Sequence, residues 1–124
     1  MTRLAVPHLV ASGAGCILLI SVNDQTMRRP GFSPYGPSKA ALEALADVWH
    51  GDLQGTGVRV NVLAPGGATD TGMIPPDLPA AARVDLLAPE IMAEPAVWLA
   101  AGTADGQRVV ANGWRNPEIT AQQR

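Results

Sequence analysis

The sequence is poor in cysteine, in net charge and in long apolar runs. Cys16 is the single cysteine among 124 residues, which excludes an internal disulfide and a zinc site built from several cysteines. Lysine and arginine number 9 against 11 aspartate and glutamate residues, a balance that gives no basic footprint for nucleic acid or an anionic membrane. No apolar run approaches the roughly 20 residues that span a bilayer, so we expect no membrane partner.

What is present fits one compact globular domain. Apolar residues make up 47% of the chain, with 13 glycines and 11 prolines, which excludes a disordered or coiled-coil protein and predicts many turns. Pro7, His8 and Ser12 interrupt the apolar stretch near the amino terminus, so it lacks the continuous apolar core of a secretory leader. We therefore expect a cytoplasmic protein.

The spacing of apolar residues predicts alternating helices and strands. Strands are expected over Cys16–Ser21, Val58–Ala64 and Gln107–Ala111; helices around residues 6–10, from Ser33-Pro34 to Gly55 or Gly57, over Ala80–Leu87 and over Pro89–Ala101. Pro95 should break or kink the last helix. This order predicts an α/β protein with a parallel sheet of about three strands, as one domain over residues 1–115 with a polar, loose tail over 116–124.

The single tyrosine and the single lysine stand four positions apart, at Tyr35 and Lys39. On a helix this spacing puts both side chains on one face, where the lysine charge favours the phenolate form of the tyrosine. A surface lysine resting on a ring is the commoner meaning of such a pair. Because chance would place the only lysine here in roughly 1 chain in 100, we interpret the pair as functional.

Other polar groups are expected at the same edge of the sheet. Ser21 ends the first predicted strand, and Pro65-Gly66-Gly67 leaves the second, with Thr69 and Thr71 shortly after it. Ligands bind outside the carboxyl ends of strands in open parallel sheets, and glycine lets the backbone approach them closely. Taken alone, Ser21 is equally well explained as a strand-end serine and the glycines as an ordinary turn.

The residues in this order resemble the short-chain dehydrogenase/reductase family. The resemblance rests on Ser21, on Tyr35-x-x-x-Lys39, on Asn61-Val-Leu-Ala-Pro65-Gly66 and on Thr69-Asp70-Thr71, and it extends from about residue 1 to about residue 115. It implies a partial Rossmann-like, doubly wound parallel sheet and an oxidoreductase that interconverts a carbonyl and an alcohol with NAD or NADP. A small-molecule carbonyl or alcohol is the implied substrate.

The resemblance also implies roles for individual residues. Tyr35 would be the general acid/base, Lys39 would bind the nicotinamide ribose and favour the phenolate, and Ser21 would hold the substrate oxygen. Ser21 lies one residue further from the tyrosine than is usual, which leaves Val22 as the alternative at that position. Pro65 and Gly66 would contact the nicotinamide, and either Thr69 or Thr71 its carboxamide or phosphate side.

One part of the family pattern is not found. The sequence has no Gly-x-x-x-Gly-x-Gly turn after a strand, and Gly13-Ala-Gly15 precedes its strand. We therefore expect the carboxy-terminal half of the fold, without the amino-terminal half that binds the nucleotide. The alternative function is that of a catalytically silent fragment of the family fold that acts only as an oligomerisation or interaction module.

Several residues are interpreted as structural. The family resemblance implies a homo-oligomer formed through the first two predicted helices, and Trp49 and Trp98 are expected in the core or in an interface. His8 and His50 lack clustered ligands, so no metal site is expected. Arg28-Arg29 is interpreted as a solvated pair of loop charges.

Overall fold

The computed structural model describes residues 2–122, and the side chains of residues 2–119. The helices are α1 (Thr2–Ser12), α2 (Asp24–Met27), α3 (Tyr35–Asp52), α4 (Ala80–Arg83), α5 (Ala93–Ala101) and α6 (Pro117–Gln122); the strands are β1 (Cys16–Ile20), β2 (Arg59–Ala64) and β3 (Arg108–Val110). A 3-10 turn over Pro89–Met92 leads into α5. Met1 and the last two residues of the predicted tail lie outside the described residues.

The three described strands form one parallel sheet in the order β1-β2-β3. Cys16 pairs with Arg59 at the start of β1, and Val62 pairs with Arg108 at the start of β3. The main-chain nitrogen of Ser21 donates to the Leu63 oxygen at 2.8 Å and so extends the pairing past β1. The predicted parallel α/β sheet with flanking helices is confirmed, and all three strands end at the same edge.

Helices cover both faces of the sheet. One core cluster joins Ile17, Val60 and Val62 to α3, with Val6 and Leu9 of α1 packed against it. The other joins Leu63, Leu99 and Ala111 and places α5 on the opposite face. Because side chains alternate along a strand, β2 sends Val60 and Val62 to one layer and Leu63 to the other. This explains why β2, which is buried on both faces, reads as a nearly continuous apolar run.

Several bounds differ from the sequence-based expectation. The helix expected over Ala80–Leu87 is only α4, and the polar stretch Asn23–Ser33 contains the short helix α2. The tail contains α6 instead of being irregular throughout. Pro95 lies in the first turn of α5, where no main-chain N–H needs a helical partner, so the break falls before it at Ala93.

The long connection after β2 is tied together by Arg83. Its guanidinium donates to the carbonyl oxygens of Pro75, Pro76 and Leu78 and lies 3.8 Å from the carboxylate of Asp70. The segment also pairs with Leu87, whose carbonyl oxygen accepts from Asp70. These bonds hold the connection as a wall beside the carboxyl ends of the strands.

Candidate active site

A cleft of about 1140 Å³ opens at the carboxyl ends of β1 and β2. Six of the residues predicted from the sequence line it: Ser21, Tyr35, Lys39, Pro65, Thr69 and Thr71. They come from the end of β1, the start of α3 and the connection after β2. The topology therefore brings together residues that are up to fifty positions apart in the chain.

Tyr35 and Lys39 lie one turn apart at the start of α3. The ammonium nitrogen of Lys39 is 5.8 Å from the centroid of the Tyr35 ring. The same nitrogen donates a 2.9 Å hydrogen bond to the carbonyl oxygen of Ile20. The Tyr35 ring also packs at a tilt against Phe32, with 6.4 Å between centroids. The positive charge is thereby held beside the phenol and next to the end of β1.

Ser21 presents an unsatisfied hydroxyl at the cleft. The residue is 2% exposed, and its Oγ has no hydrogen-bond partner within the described part of the chain. Buried hydroxyls are almost always hydrogen-bonded, so an oxygen left without a partner at a cleft wall is suited to a ligand. Val22, the alternative at this position, lines the same cleft with a side chain that cannot form hydrogen bonds.

Gly66 is the one predicted site residue that does not line the cleft. It has a positive φ of 89°, and a Cβ built on it would lie 2.6 Å from Cγ1 of Val110 and 3.0 Å from Cβ of Asn112. The glycine is needed because β3 approaches here, a contact that the sequence pattern does not reveal. Gly67 lines the cleft instead. Gly67 is the second glycine of the Pro65-Gly66-Gly67 motif, so the motif itself indicated a glycine at this edge of the sheet.

Thr69 and Thr71 both line the cleft but differ in their surroundings. Thr69 is half-buried, pairs with Leu87 and donates from Oγ1 to the Gly67 carbonyl oxygen at 3.3 Å. Thr71 is exposed, and its Oγ1 accepts from the Met73 nitrogen at 3.4 Å. Both hydroxyls have lone pairs left for a ligand.

Helix α2 and the residues after it form a wall that the sequence did not predict. Asn23 caps α2 by accepting from the Thr26 nitrogen at 2.7 Å. Gly36 lets α2 pack on α3, because a Cβ on Gly36 would collide with the Met27 carbonyl oxygen. The available signals were an asparagine cap followed by an acidic first turn and a glycine inside a helical pattern.

The same wall carries Arg28 and Arg29. Both arginines are exposed, as expected for loop charges, but both also line the cleft together with Phe32. The guanidinium carbon of Arg29 lies 4.8 Å from the centroid of the Phe32 ring. The exposure of both arginines is therefore as predicted from the sequence, whereas their position at the cleft was not predicted.

Arg108 of β3 connects the segment around α2 to the rest of the fold. It donates to the Glu43 carboxylate at 2.8 Å, to the Val22 carbonyl oxygen at 2.9 Å and to the Asp24 carboxylate at 3.3 Å. The hydrogen bond to Glu43 raises the pKa of the Arg108 guanidinium, although partial burial opposes this. The residue thus remains cationic and joins β3, α3 and the segment that begins α2.

A second ionic contact lies outside the cleft. Asp105 accepts from the Val60 nitrogen at 2.9 Å and contacts Nδ1 of His50 at 3.2 Å. Burial alone would raise the pKa of Asp105, but the hydrogen bond from Val60 and the attraction of His50 outweigh it, so the pKa is lowered. A smaller cavity of about 140 Å³ between α3 and β3 is lined by His50 and by none of the predicted site residues.

The described residues form neither a metal-binding cluster nor a membrane-spanning helix. No group of three or more histidine, cysteine, aspartate or glutamate side chains among residues 2–119 is placed to hold a metal ion. Within the same part of the chain, no helix combines the length and the apolar character needed to cross a membrane.

Comparison with known proteins identifies the family. The profile of the family described as short chain dehydrogenase matches residues 1–80. The chain belongs to the short chain dehydrogenase family. Among its relatives, Oxidoreductase asL5 of Sarocladium schorii is 43% identical over 61 residues, which are 49% of this chain and 24% of that protein. The NADPH-dependent aldehyde reductase-like protein of Arabidopsis thaliana is 37% identical over 65 residues, which are 52% and 24% of the two chains.

Solved structures of the family match a larger share of the chain. A structure from Beutenbergia cavernae that contains NADP at low occupancy has a TM-score of 0.70 and 28% identity, over 89% of this chain and 49% of that one. The chain therefore spans about a quarter of the length of these curated relatives and about half of the solved structure.

Proposed function

We propose that the chain carries the acid/base end of an NAD(P)-dependent oxidoreductase site that interconverts a small-molecule carbonyl and an alcohol in the cytoplasm. The observation that supports this most strongly is that the only tyrosine, the only lysine and a buried hydroxyl without a partner line one cleft. Membership of the short chain dehydrogenase family supports the same reaction type.

Tyr35 would hold and transfer the proton. In reduction, the phenol Oη–H gives its proton to the substrate oxygen; in oxidation, the phenolate takes that proton back. The Lys39 charge stabilises the phenolate, and the Ser21 hydroxyl donates to the substrate oxygen as negative charge develops on it. NAD(P), when bound, supplies or accepts the hydride.

The cleft fits the nicotinamide end of such a cofactor. Lys39 and Thr69 or Thr71 offer polar groups there, and Pro65 offers an apolar contact to the ring. A Cβ on Gly66 would point toward Val110 and Asn112 and not into the cleft. We therefore propose that Gly66 contacts the nicotinamide through its backbone. A relative described as NADPH-dependent and a family structure with NADP support NAD or NADP as the cofactor.

The proposal is tested by binding and turnover together. We expect NADH or NADPH to quench the tryptophan fluorescence of the purified chain saturably. We expect Tyr35→Phe to lower carbonyl reduction by at least about 100-fold while cofactor affinity stays nearly unchanged, because the hydroxyl is the acid. Ser38→Ala, which removes a hydroxyl from the same helix outside the cleft, is the matched control. Unchanged turnover in Tyr35→Phe would refute the acid/base role.

A silent interaction module is the second candidate function. It is favoured by the apolar residues that α1 and α3 leave exposed, with Leu4 at 79% and Val48 at 56% exposure. We propose that these helices mediate homo-oligomerisation, which is compatible with either function. If sedimentation shows an oligomer that Val48→Lys dissociates, while neither NADH nor NADPH binds up to millimolar concentrations, the silent module is the correct function.

A further inference from the structure

The charged groups that line the cleft are all positive. Lys39, Arg28 and Arg29 line it, and no aspartate or glutamate is found among its described lining residues. The chain as a whole carries a net charge of −2, so this concentration of cations is not a general feature of the protein. A cleft lined by one sign of charge attracts ligands of the opposite sign.

The two cleft arginines differ from the arginines that stabilise the fold. Arg59, Arg83 and Arg108 each donate to several carbonyl or carboxylate oxygens. In residues 2–119, by contrast, the guanidinium groups of Arg28 and Arg29 make no hydrogen bond or ion pair. Their donors are therefore available to a ligand.

Arg29 is also positioned relative to the proposed proton donor. Its guanidinium carbon lies 4.8 Å from the Phe32 centroid, and the Phe32 centroid lies 6.4 Å from that of Tyr35. Both Arg29 and Tyr35 thus contact the Phe32 ring, which places the guanidinium within about 11 Å of the centroid of the phenol ring. A guanidinium that lies over a ring keeps N–H groups with which it can bind an anion.

We propose that Arg28 and Arg29 form a subsite for an anionic group of the substrate, so that the substrate is an oxo acid or a hydroxy acid. The inference rests on the proposed function, since it places the reacting carbonyl or alcohol at Tyr35. Apolar side chains of Met73, Ile74 and Met92 line the same cleft and suit the carbon chain between the two ends. The same arginine chemistry would accept a cofactor phosphate, which the experiment distinguishes.

The test compares levulinate, an oxo acid with two methylene groups between its carbonyl and its carboxylate, with its neutral methyl ester. Each is titrated into the isotope-labelled full chain while amide chemical shifts are recorded. We expect levulinate to shift the amides of Arg28, Arg29 and Tyr35 and to bind about tenfold more tightly than the ester. Arg29→Gln should lower levulinate affinity about tenfold, and Arg28→Gln in addition should abolish the preference for the acid. Arg3→Gln, an equal charge change on α1, should leave affinity unchanged.

Equal affinities for acid and ester, or equal effects of Arg29→Gln and Arg3→Gln, would overturn the subsite. NADP and NAD form a separate arm. If Arg29→Gln weakens NADP but not NAD, and the acid is not preferred over the ester, the arginines bind a cofactor phosphate and the substrate assignment is wrong.

The subsite and the proposed function fail separately. Tyr35→Phe should leave the preference for levulinate over its methyl ester unchanged, because the phenol is not part of the anion subsite. Arginine-dependent binding of the acid without any turnover would leave the subsite standing and overturn the oxidoreductase proposal. Turnover of neutral carbonyls without a preference for acids would support the oxidoreductase proposal and overturn the anion subsite.

Discussion

The ammonium nitrogen of Lys39 donates a 2.9 Å hydrogen bond to the carbonyl oxygen of Ile20, which is the last residue of β1. This bond joins α3 to the strand end immediately before Ser21. It fixes the charge 5.8 Å from the Tyr35 ring, so proton chemistry at Tyr35 depends on how β1 and α3 are packed.

Replacing Lys39 with methionine removes the charge while keeping most of the side-chain volume. We expect turnover to fall by about 100-fold or more, since the phenolate loses its neighbouring cation, with little change in the free energy of unfolding. Steady-state kinetics and urea unfolding measure the two effects. Lys39→Arg, which keeps the charge, should retain more activity than Lys39→Met; equal losses would show that the charge is not what matters.

Gly36→Ala should displace α2. The new Cβ would collide with the Met27 carbonyl oxygen and lie 3.0 Å from that of Thr26. Because both contacts are with backbone, which cannot rotate away, we expect a loss of roughly 1–3 kcal/mol in the free energy of unfolding. Urea denaturation measures it, and amide shifts of Arg28 and Arg29 report the displaced cleft wall.

Gly51→Ala provides the matched control on the same helix. A Cβ on Gly51 meets nothing within 4 Å. Alanine is favoured over glycine in a helix by up to about 1 kcal/mol, so this variant should be slightly more stable than the wild type. If Gly36→Ala and Gly51→Ala stabilised the protein to the same extent, the inference that α2 packs directly on Gly36 would be contradicted.

Asn61 should be a large contributor to stability. It is 1% exposed, donates from Nδ2 to the Ala104 carbonyl oxygen at 2.8 Å and accepts from the Gln107 nitrogen at 3.0 Å. Asn61→Ala removes both part-buried hydrogen bonds: the Gln107 nitrogen loses this partner and the Ala104 oxygen keeps only the bond from Arg59, at a cost of about 1–3 kcal/mol. Urea unfolding should therefore show a loss in this range. The exposed Asn112→Ala should stay within about 0.5 kcal/mol of the wild type, and a similar loss there would contradict this explanation.

Asp105 predicts a pH dependence of stability. Its pKa is lowered in the folded state, so its contribution is fully present above the ordinary aspartate pKa and is lost as the pH falls through the lowered value. The stability difference between wild type and Asp105→Asn should shrink as the pH falls below about 4. Urea unfolding over this range measures it. Asp77→Asn, in an exposed loop, should show no such trend, and a difference that grows on acidification would refute the assignment.

The parts of the fold that the sequence predicted are those set by local pattern. The β-branched, apolar run around Val60 marks a strand buried on both faces, and the spacing of Tyr35 and Lys39 places both on one turn of helix. These signals need no knowledge of distant residues. They were sufficient for the parallel sheet and for the position of the cleft.

The parts that were not predicted depend on contacts between distant segments. Helix α2 has only four residues and is placed by packing on Gly36, and Gly66 faces β3 because Val110 and Asn112 lie against it. Neither contact has a periodic signal in the sequence. Arg29 is predicted as a solvated loop charge, and the contact of its guanidinium with the Phe32 ring, although only three residues along the chain, has no periodic signal either.

Arg59 makes the two ends of α5 unequal. From β2, its guanidinium donates to the carbonyl oxygens of Leu99, Ala100 and Ala104 and so anchors the carboxyl end of the helix to the sheet. The amino end has no side-chain cap, and it is preceded by the 3-10 turn whose Pro89 and Met92 line the cleft. The carboxyl end of α5 is thus tied to the sheet by hydrogen bonds, whereas Met92, just before its amino end, both packs against the core cluster of Leu63 and Leu99 and lines the cleft, so a molecule bound there would contact the core directly.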